Sequence, residues 1–521
     1  MSCFNFSLTA NMYRSMLFVC LGFLPLSATW SDVFTTEARV VAVGDVHGAH
    51  TSLLELLEAA QIIDSEQRWI AGETHLVSIG DLLDRGPDSK DAMDLMIRLQ
   101  QEAVQAGGRV HVLIGNHELM NLGGDLRDVS EAEFAALGGR AAHRQAFSAE
   151  GIYGRWLRTL PVIIKINDTL FAHAGFSSIS LQPLDDLNAQ FWAAFREVSL
   201  QANKLKIDGL VDADQTVLSL PEFAADTPAA FMAWETAAQA DALNDLSLPW
   251  YRGTASCHAL IEAAQVDAVL DYHGVERLVF GHTPTPSREI ESRFQGKAIA
   301  IDTGMLTSVY RGQPRALQLL SDGQINVQSP EGERSVLHAD ARRAQRIAAL
   351  ESSPRLVQLG ARAAQKAYAA YLLSEHLRVD LIAPTALIDD GVKVLEEPLI
   401  SERERLERQL YRPNYCETGT DFDLLAAFDA LIGQTRRSVD TIAYSRRDWS
   451  IRLLENETAF STSARLPRYA RQPMLASGLR EHLTELDEAK LEALLGAYLK
   501  PREIRAILKR RDKILDWETE N

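Results

Sequence analysis

The sequence predicts an α/β protein, and three observations support that prediction. Over the first 330 residues, short β-rich apolar runs alternate with amphipathic helical segments. Strand–helix alternation of this kind is typical of a sheet flanked by helices. The third observation is that glycine followed by Asp or Asn comes directly after three of the apolar runs, at positions 44, 80 and 115.

The predicted elements can be placed along the chain. We expect helices at 50–60 and 92–106, and strands at 40–44, 75–80, 110–115, 162–166, 169–171, 277–280, 298–302 and 316–320. The pattern between 176 and 249 is mostly helical and indicates an insertion or cap. The sequence therefore predicts one domain over 31–330, followed by a mainly helical domain over 331–521 with no strong strand before Thr441.

Composition and charge exclude several classes of protein. The chain has 521 residues, of which 46% are hydrophobic and 24% charged, as in ordinary globular proteins. This excludes a wholly disordered chain, a collagen and a polytopic membrane protein. The net charge of −18 disfavours non-specific binding to nucleic acid or anionic lipid, because both require a basic face. We therefore expect no nucleic-acid partner.

The N-terminal segment has the features of a secretory signal. Arg14 precedes a short apolar run at 16–28 that ends in small residues. The run is too short to span a bilayer as a helix, which needs about 20 apolar residues. Residues 1–30 therefore resemble a signal peptide, and a periplasmic or secreted protein without a membrane span is expected after cleavage. An uncleaved anchor or a buried strand is the alternative.

Two of the four cysteines, Cys257 and Cys416, lie beyond this segment and have no C-x-x-C spacing. The simpler interpretation is two buried thiols. One long-range disulfide is the alternative, which an oxidising compartment would permit.

Polar motifs end several of the predicted strands. They are Gly-Asp-Val-His-Gly at 44–48, Gly-Asp-Leu-Leu-Asp-Arg-Gly at 80–86 and Gly-Asn-His-Glu at 115–118, and His173 and His282 each end a further strand. Ligands of α/β sheets gather at the carboxyl ends of strands. Carboxylates at such positions are costly to desolvate unless a partner neutralises them. Two divalent cations would provide that neutralisation.

The donor types indicate which metals would bind. Asp, Asn and His form a mixed oxygen and nitrogen set, which suits Mn, Fe or Zn better than Ca or Mg. No thiolate lies near the motifs, which disfavours a structural zinc site. Any one of these histidines alone would more often be a core or loop residue, so the prediction depends on the whole set.

The three motifs resemble those of the calcineurin-like metallophosphoesterase superfamily. The Asp84-Arg85 pair is typical of its phosphoprotein phosphatase branch. Three further pieces, at 250–253, 280–284 and 301–304, resemble the bacterial Shewanella-like protein phosphatases. The resemblance implies a β-sandwich flanked by helices, here with a helical insertion and a mainly α C-terminal domain.

The resemblance also implies a ligand set for two divalent metal ions. Asp45 and His47 would hold one ion, and Asp81 would bridge the pair. The ligands of the other ion would be Asn116, His173 and His282. Manganese is the first expectation, with iron or zinc as alternatives. Pro284 stands where the superfamily often has a last histidine, a departure that the phosphoprotein phosphatase branch shares.

The implied reaction is hydrolysis of a phosphomonoester by attack of a metal-bridging hydroxide. His117 would be the general acid, oriented by Asp84. The residues expected to bind the phosphate are Arg85, Arg252 and Asn116. The expected substrates are phosphoproteins (on Ser/Thr or Tyr), phosphopeptides or small phosphomonoesters. A bis(5'-nucleosyl)-tetraphosphatase-like hydrolase and a non-catalytic metal-binding scaffold are the alternatives.

The C-terminal part weakly resembles a degenerate HipA-like or phosphoinositide-kinase-like catalytic lobe. An amphipathic helix at 422–433 runs into Arg436, which stands where a catalytic Asp is expected. Glu455 and Thr441 stand at the expected metal-binding positions. We therefore expect a domain that docks on the phosphatase or recruits a partner. An unrelated helical bundle and residual kinase activity are the alternatives.

Overall fold

The computed structural model describes residues 32–212, 216–217, 229–240, 243–339, 341–352, 354–389, 391–410, 420–469 and 474–517. The predicted signal peptide and Cys416 lie outside these residues, as do parts of the predicted insertion. No helix in the described part of the chain is both long enough and apolar enough to cross a bilayer.

The elements of the first 340 residues follow the predicted alternation. The strands are β1 Val33–Phe34, β2 Val40–Val43, β3 His75–Ser78, β4 Arg109–Val112, β5 Ile163–Ile166, β6 Thr169–Ala172, β7 Arg277–Phe280, β8 Glu291–Arg293, β9 Ala298–Ala300, β10 Ala316–Leu319, β11 Ile325–Gln328 and β12 Arg334–Val336. The helices are α1 His50–Ala59, α2 Ser89–Gln105, α3 Asn116–Leu122, α4 Glu131–Ala136, α5 Arg140–Phe147, α6 Ile152–Leu157, α7 Leu184–Ile207, α8 Ala229–Ala238, α9 Gly253–Ser256, α10 Ala259–His273 and α11 Thr307–Tyr310.

Two six-stranded sheets form the centre of this part. One has the order β1-β5-β6-β7-β9-β8, and the other has the order β12-β11-β10-β2-β3-β4. Strands β2, β3 and β4 are parallel to one another, as are β6, β7 and β9. The carboxyl ends of each parallel set therefore lie at one edge of its sheet, which is where the polar motifs are.

The two sheets pack face to face as a sandwich. Val40 and Ala42 of β2 belong to one apolar cluster with Ile164 and Phe171 of the opposite sheet. Val41, from the other face of β2, instead packs in the larger cluster that includes α1 and α2. Because alternate side chains of a strand point to opposite faces, an all-apolar strand can fill both layers. The predicted sandwich with flanking helices is confirmed.

The C-terminal part combines helices with two small sheets. Its helices are α12 Ala341–Ser352, α13 Ala361–His376, α14 Glu402–Glu407, α15 Thr420–Ile432, α16 Ser477–Thr484, α17 Glu488–Leu495 and α18 Pro501–Leu515. Its strands are β13 Pro354–Gln358, β14 Thr385–Ile388, β15 Gly391–Leu395, β16 Leu399–Ser401, β17 Ile442–Ser445 and β18 Ile451–Leu453, paired as β13-β15-β14 and β16-β17-β18. A mainly helical region is therefore correct, but four short strands, β13 to β16, precede Thr441 and were not predicted.

Those missed strands are short and lack a regular alternation of buried and exposed side chains. In β13, for example, no side chain is fully buried. Such strands are stabilised by pairing with distant partners, which a local sequence pattern does not report.

The C-terminal part has its own apolar core, and α10 of the N-terminal part contributes Leu260 to it. Just before α10, Cys257 is buried and disulfide-bonded. The interpretation of Cys257 as a buried thiol is therefore wrong. The other three cysteines lie outside the described residues.

Candidate active site and metal centre

The predicted ligands meet at the shared edge of the two sheets. Those following β2, β3 and β4 come from one sheet, and His173 and His282 follow β6 and β7 of the other. The ligands brought together in this way are Asp45, His47, Asp81, Asn116, His173 and His282, and each is at most 6% exposed.

Asp81 lies between two groups of potential metal ligands. In one group, its Oδ2 atom lies 3.7 Å from Nε2 of His47, which in turn lies 3.9 Å from Oδ2 of Asp45. In the other group, the same Oδ2 atom lies 3.3 Å from Nε2 of His173. His282 belongs to this second group, whose ligand atoms all lie within 4.8 Å of one another. A carboxylate shared by two groups is the arrangement that a bridging ligand requires.

Asn116 joins the second group through His173. Its Oδ1 atom lies 3.0 Å from Nε2 of His173, so the potential ligand atoms of both side chains lie together in the second group. The other ring nitrogen of His173 lies 2.9 Å from the carbonyl oxygen of Ile79, which leaves Nε2 directed at Asp81 and Asn116. Backbone carbonyls commonly orient metal-ligating histidines in this way.

Two buried ligand atoms support the fit of a cation. Oδ2 of Asp45 and Nε2 of His282 are buried and have no hydrogen-bond partner among the described residues. Buried polar atoms are usually paired, so atoms left unpaired inside a cluster of donors indicate a missing partner. The donor set is of mixed oxygen and nitrogen type and therefore fits divalent transition metals.

Glycines in the motifs leave room for the carboxylates. A Cβ atom on Gly115 would lie 2.2 Å from Oδ1 of Asp81, and one on Gly281 would lie 2.4 Å from Oδ1 of Asp45. Both distances are impossible for real atoms, so only glycine fits at these two positions. The backbone of the site is also strained. His47, Asp81 and His282 have φ values of 50°, 51° and 65°, a region that non-glycine residues adopt rarely and mostly at functional sites.

The carboxylates crowd one another electrostatically. Burial and the neighbouring carboxylate of Asp302 raise the pKa of Asp45 well above its usual range. Burial also raises the pKa of Asp302, to about 6. Burial opposes ionisation of Asp81 too, but His173 and His117 outweigh it and hold the pKa of Asp81 well below its usual range. Three buried acids this close need positive charge beside them, which protons or cations can supply.

His117 and Asp84 form a buried pair at the rim of this cluster. Nδ1 of His117 lies 2.7 Å from Oδ2 of Asp84, and Nε2 of His117 lies 4.0 Å from Oδ2 of Asp81. Asn121 donates a hydrogen bond of 2.9 Å to the other oxygen of Asp84. Burial lowers the pKa of His117, but Asp81 and Asp84 more than offset it, so the net shift is upward. Distance alone would group His117 with His47 and Asp81 as a ligand. Its bond to Asp84 fits a proton donor better.

Glu118 holds the loops in register. Its carboxylate accepts hydrogen bonds of 2.8 Å from the backbone N–H groups of Asp81, Leu82 and Gly115. It therefore ties the loop after β3 to the loop after β4. Burial raises the pKa of Glu118 to about 7.

The two predicted phosphate-binding arginines make different contacts near the cluster. Arg85 is partly exposed, and its guanidinium lies 3.8 Å from Asp128 and 5.4 Å from the ring centre of Tyr310. Arg252 donates hydrogen bonds to the carbonyl oxygen of His282, at 3.2 Å, and to Oγ1 of Thr283, at 2.9 Å.

Two residues of the site had no predicted role. Asp302 is 2% exposed and interacts electrostatically with Asp45, and its Oδ1 accepts the N–H of Gly304 at 2.9 Å. Tyr310 stacks on His47 with ring centres 5.3 Å apart. Asp302 lies in the Ile-Asp-Thr-Gly piece of the sequence, where an Asp directly after a strand was an available signal. Tyr310 carried no such signal.

The C-terminal positions compared with a kinase lobe do not form a comparable cluster. Arg436 and Glu455 are exposed, whereas Thr441 is buried and its hydroxyl donates to the Ser438 carbonyl. The neighbouring Arg437 is instead paired with Asp429 by two hydrogen bonds of 2.7 and 2.8 Å. The resemblance to a degenerate kinase lobe, with a docking or recruiting role, therefore stays a prediction. The contacts of Arg437 with Asp429 are those of a buried ion pair.

Comparisons with known proteins cover the same region. A family model described as calcineurin-like phosphoesterase matches residues 38–286. Shewanella-like protein phosphatase 1 of Plasmodium berghei (strain Anka) is 28% identical over 287 residues, which cover 54% of this chain and 71% of the relative. Serine/threonine-protein phosphatase 1 of Salmonella typhimurium (strain LT2) is 30% identical over 172 residues, which cover 31% of this chain and 71% of the relative.

Among solved structures, a cold-active protein-tyrosine phosphatase of a psychrophilic Shewanella species is 31% identical. The match covers 59% of this chain and 83% of that one, with a TM-score of 0.47. The motifs, their place at the edge of the sandwich and the matching relatives lead to one assignment. The chain belongs to the calcineurin-like phosphoesterase family and is a phosphoric ester hydrolase.

Proposed function

We propose that this protein is a dinuclear metal-dependent phosphatase that hydrolyses phosphomonoesters on phosphorylated proteins or peptides. The observation that carries the proposal is that Oδ2 of one buried carboxylate, Asp81, lies 3.7 Å from Nε2 of His47 and 3.3 Å from Nε2 of His173, so that Asp81 belongs to both ligand groups. The residues proposed to hold the two ions are Asp45, His47, Asp81, Asn116, His173 and His282. Manganese is our first expectation, with iron or zinc as alternatives, because the donors are both oxygen and nitrogen.

Divalent ions at such a site neutralise phosphoryl oxygens and lower the pKa of water enough for attack at neutral pH. The protein's own residues would position the ester. Arg85 and Arg252 present planar guanidinium groups, which match phosphate oxygens in a fork geometry. The side-chain amide of Asn116, at the same edge of the sheets as the proposed metal ligands, would add a further contact to the phosphate. Together these groups would hold the phosphoryl group in one orientation at the cluster.

His117 is proposed to donate a proton to the leaving oxygen. Its Nδ1 atom is occupied by Asp84, so Nε2 is the nitrogen that faces the cluster. The carboxylates nearby favour the protonated ring, which a general acid needs before the leaving group departs. Asp84 would fix the ring orientation and stabilise its positive charge.

The substrate class is inferred from the relatives. Both curated relatives described above are named as protein phosphatases, one of them for serine and threonine. We therefore propose phosphoprotein substrates, and the choice between Ser/Thr and Tyr phosphate is left to experiment.

A substrate panel tests this proposal. The purified mature protein, loaded with Mn²⁺, would be offered p-nitrophenyl phosphate, phosphoserine, phosphothreonine and phosphotyrosine peptides, and a dinucleoside tetraphosphate. We expect turnover of p-nitrophenyl phosphate and of at least one phosphopeptide class. Turnover of the tetraphosphate alone would replace the proposal with the nucleotide hydrolase. No turnover of any compound, with two ions bound, would favour the scaffold.

We also propose that the protein acts in the periplasm or outside the cell. Support comes from the signal-like N-terminal segment and from the disulfide at Cys257, since disulfides persist in oxidising compartments. Fractionation of the producing cell, with N-terminal sequencing of the mature chain, tests this. Recovery in the cytoplasm with residues 1–30 intact would contradict it.

A further inference from the structure

We infer that His258 is a positioning residue through which the C-terminal part fixes the turn that carries Arg252. This turn, residues 250–257, is called the Arg252 turn below. The inference rests on the proposed function, because it concerns how an arginine is held ready for phosphate. It gives the C-terminal part a role in catalysis that neither the family resemblance nor the matched region, which ends at residue 286, supplies.

His258 makes one hydrogen bond to each part of the protein. Its Nδ1 atom accepts the backbone N–H of Leu260 at 3.1 Å and so caps the N-terminus of α10. Its Nε2 atom lies 2.9 Å from the carbonyl oxygen of Val379, in the buried segment after α13. A neutral imidazole with its proton on Nε2 satisfies both bonds at once. His258 therefore links the start of α10 directly to the C-terminal part.

Hydrogen bonds with neighbouring residues hold the Arg252 turn next to His258. The short helix α9 lies between Arg252, its N-cap, and Cys257, its C-cap. Arg293, at the end of β8, donates hydrogen bonds to the carbonyl oxygens of Ala255 and Cys257. At the other side, Oγ1 of Thr254 accepts the N–H of Phe176 at 2.9 Å. The turn is thus fixed to Phe176 after β6, to Arg293 of β8 and, through His258, to Val379.

The front of the turn faces the metal cluster. Trp250 packs edge-on against the ring of His282, with ring centres 6.2 Å apart. Arg252 bonds to the carbonyl oxygen of the same histidine and to Thr283. A shift of the turn would therefore move the Arg252 guanidinium relative to the ligand loop. Even a displacement of about 1 Å in a group that positions the substrate can weaken substrate binding and misorient the reacting group.

Helix packing presses α10 against the C-terminal core. Leu260 belongs to that core, and Gly478 of α16 lies directly against Leu260. A Cβ atom on Gly478 would lie 3.0 Å from the carbonyl oxygen of Leu260. Any side chain at residue 478 would crowd Leu260, so the glycine favours the close approach of the two helices. The start of α10 is therefore held by packing as well as by the His258 bond.

The test uses the full-length, metal-loaded protein and the variant His258→Asn. Asparagine is a good N-cap and can keep the bond to Leu260 N–H. It is too short to reach Val379 as well. We expect the KM for p-nitrophenyl phosphate to rise about three- to tenfold, with kcat within about twofold of wild type, as for residues coupled through direct contacts. Metal content should not change.

A double-mutant cycle separates positioning from general destabilisation. If His258 acts through Arg252, then His258→Asn should add no further rise in KM to an Arg252→Ala background. The inference would be overturned if the rise in KM of the double variant equalled the product of the rises in the two single variants. An unchanged KM in His258→Asn would also overturn it. His273→Asn is the matched control, since His273 lies at the opposite end of α10 and bonds the Ser180 carbonyl at 2.7 Å. Its KM should equal that of wild type.

Hydrogen exchange gives a readout that does not depend on activity. Ser256 and Cys257 N–H groups are bonded at 2.8 Å to the carbonyls of Arg252 and Gly253. In His258→Asn, we expect amides of residues 250–257 to exchange faster, while those of residues 45–48 do not change. Gly478→Val, which wedges α16 away from Leu260, should have the same effect. Unchanged exchange in both variants would overturn the inference, whereas a wild type without phosphatase activity would overturn only the proposed function.

Discussion

Nδ1 of His117 lies 2.7 Å from Oδ2 of Asp84, and both side chains are at most 3% exposed. Burial raises the pKa of Asp84 to about 6, so its ionised form depends on the histidine and on the amide of Asn121. The two side chains therefore stabilise each other's charged forms. This mutual dependence makes the pair suited to holding a proton beside the metal cluster.

Replacing His117 by asparagine should remove the proton donor while keeping a polar side chain. We expect His117→Asn to reduce kcat on p-nitrophenyl phosphate by about 10²–10⁴-fold, the usual contribution of a general acid. Two bound ions should remain. His50→Asn is a control, because His50 begins α1 outside the ligand set. Unchanged turnover in His117→Asn would remove His117 from this role.

Tyr310 should act through its ring. The ring supports the Arg85 guanidinium, a cation–π contact worth about 0.5–1 kcal/mol at a partly exposed site. We therefore expect Tyr310→Ala to raise KM by about two- to fivefold, and Tyr310→Phe, which keeps the ring, to leave KM near wild type. Equal KM values for the alanine variant and wild type would show that Arg85 does not need this support.

Glu118 should matter for stability, because three backbone N–H groups depend on it. In Glu118→Gln, one oxygen becomes an NH₂ group that cannot accept. We expect the free energy of unfolding of the metal-free protein to fall by about 1–3 kcal/mol, measured by urea denaturation. Glu131→Gln serves as the control, since the Glu131 side chain is 82% exposed. Equal stability of the two variants would contradict the role of Glu118.

Glu262 should give the protein a pH-dependent stability. Burial raises its pKa from 4.5 to about 7, although Tyr251 donates it a hydrogen bond of 2.7 Å. A group with a raised folded-state pKa binds more protons when folded, so its stabilising contribution is complete below about pH 4.5 and is lost as the pH rises to about 7.

In Glu262→Gln this loss should disappear. We expect the melting temperature of wild type, measured relative to that of Glu262→Gln, to decrease as the pH is raised from 5 to 8. Glu276→Gln, at a side chain that is 68% exposed, should follow wild type at both pH values. A constant difference between wild type and Glu262→Gln across this range would contradict the assignment.

Much of the site was predictable because its ligands directly follow apolar strands. Asp45, Asp81 and Asn116 end parallel neighbours, so the sheet itself brings them together. Tyr310 reaches the site differently, through a loop in which Oγ1 of Thr303 donates to the carbonyl of Gln313. A closure between residues ten apart leaves no periodic pattern in the sequence, which is why Tyr310 was not found.

The link through His258 was also beyond prediction. A histidine before a helix could be recognised as a cap, but its second partner, Val379, is 121 residues away and offers only a backbone carbonyl. Such a partner carries no sequence signal. The disulfide at Cys257 was predicted only as the alternative to a buried thiol, because the cysteine has no local motif that would favour pairing.

The measurement that tests the central claim most directly is the number of metal ions bound by wild type and by Asp81→Asn. After Mn²⁺ loading and removal of excess metal, elemental analysis and turnover would be measured on the same samples. Asp91→Asn is the control, because the Asp91 side chain is 60% exposed on α2. We expect two ions per chain and full turnover in wild type and control, and fewer than two ions with no detectable turnover in Asp81→Asn. Two ions and full turnover in Asp81→Asn would contradict the shared-carboxylate site.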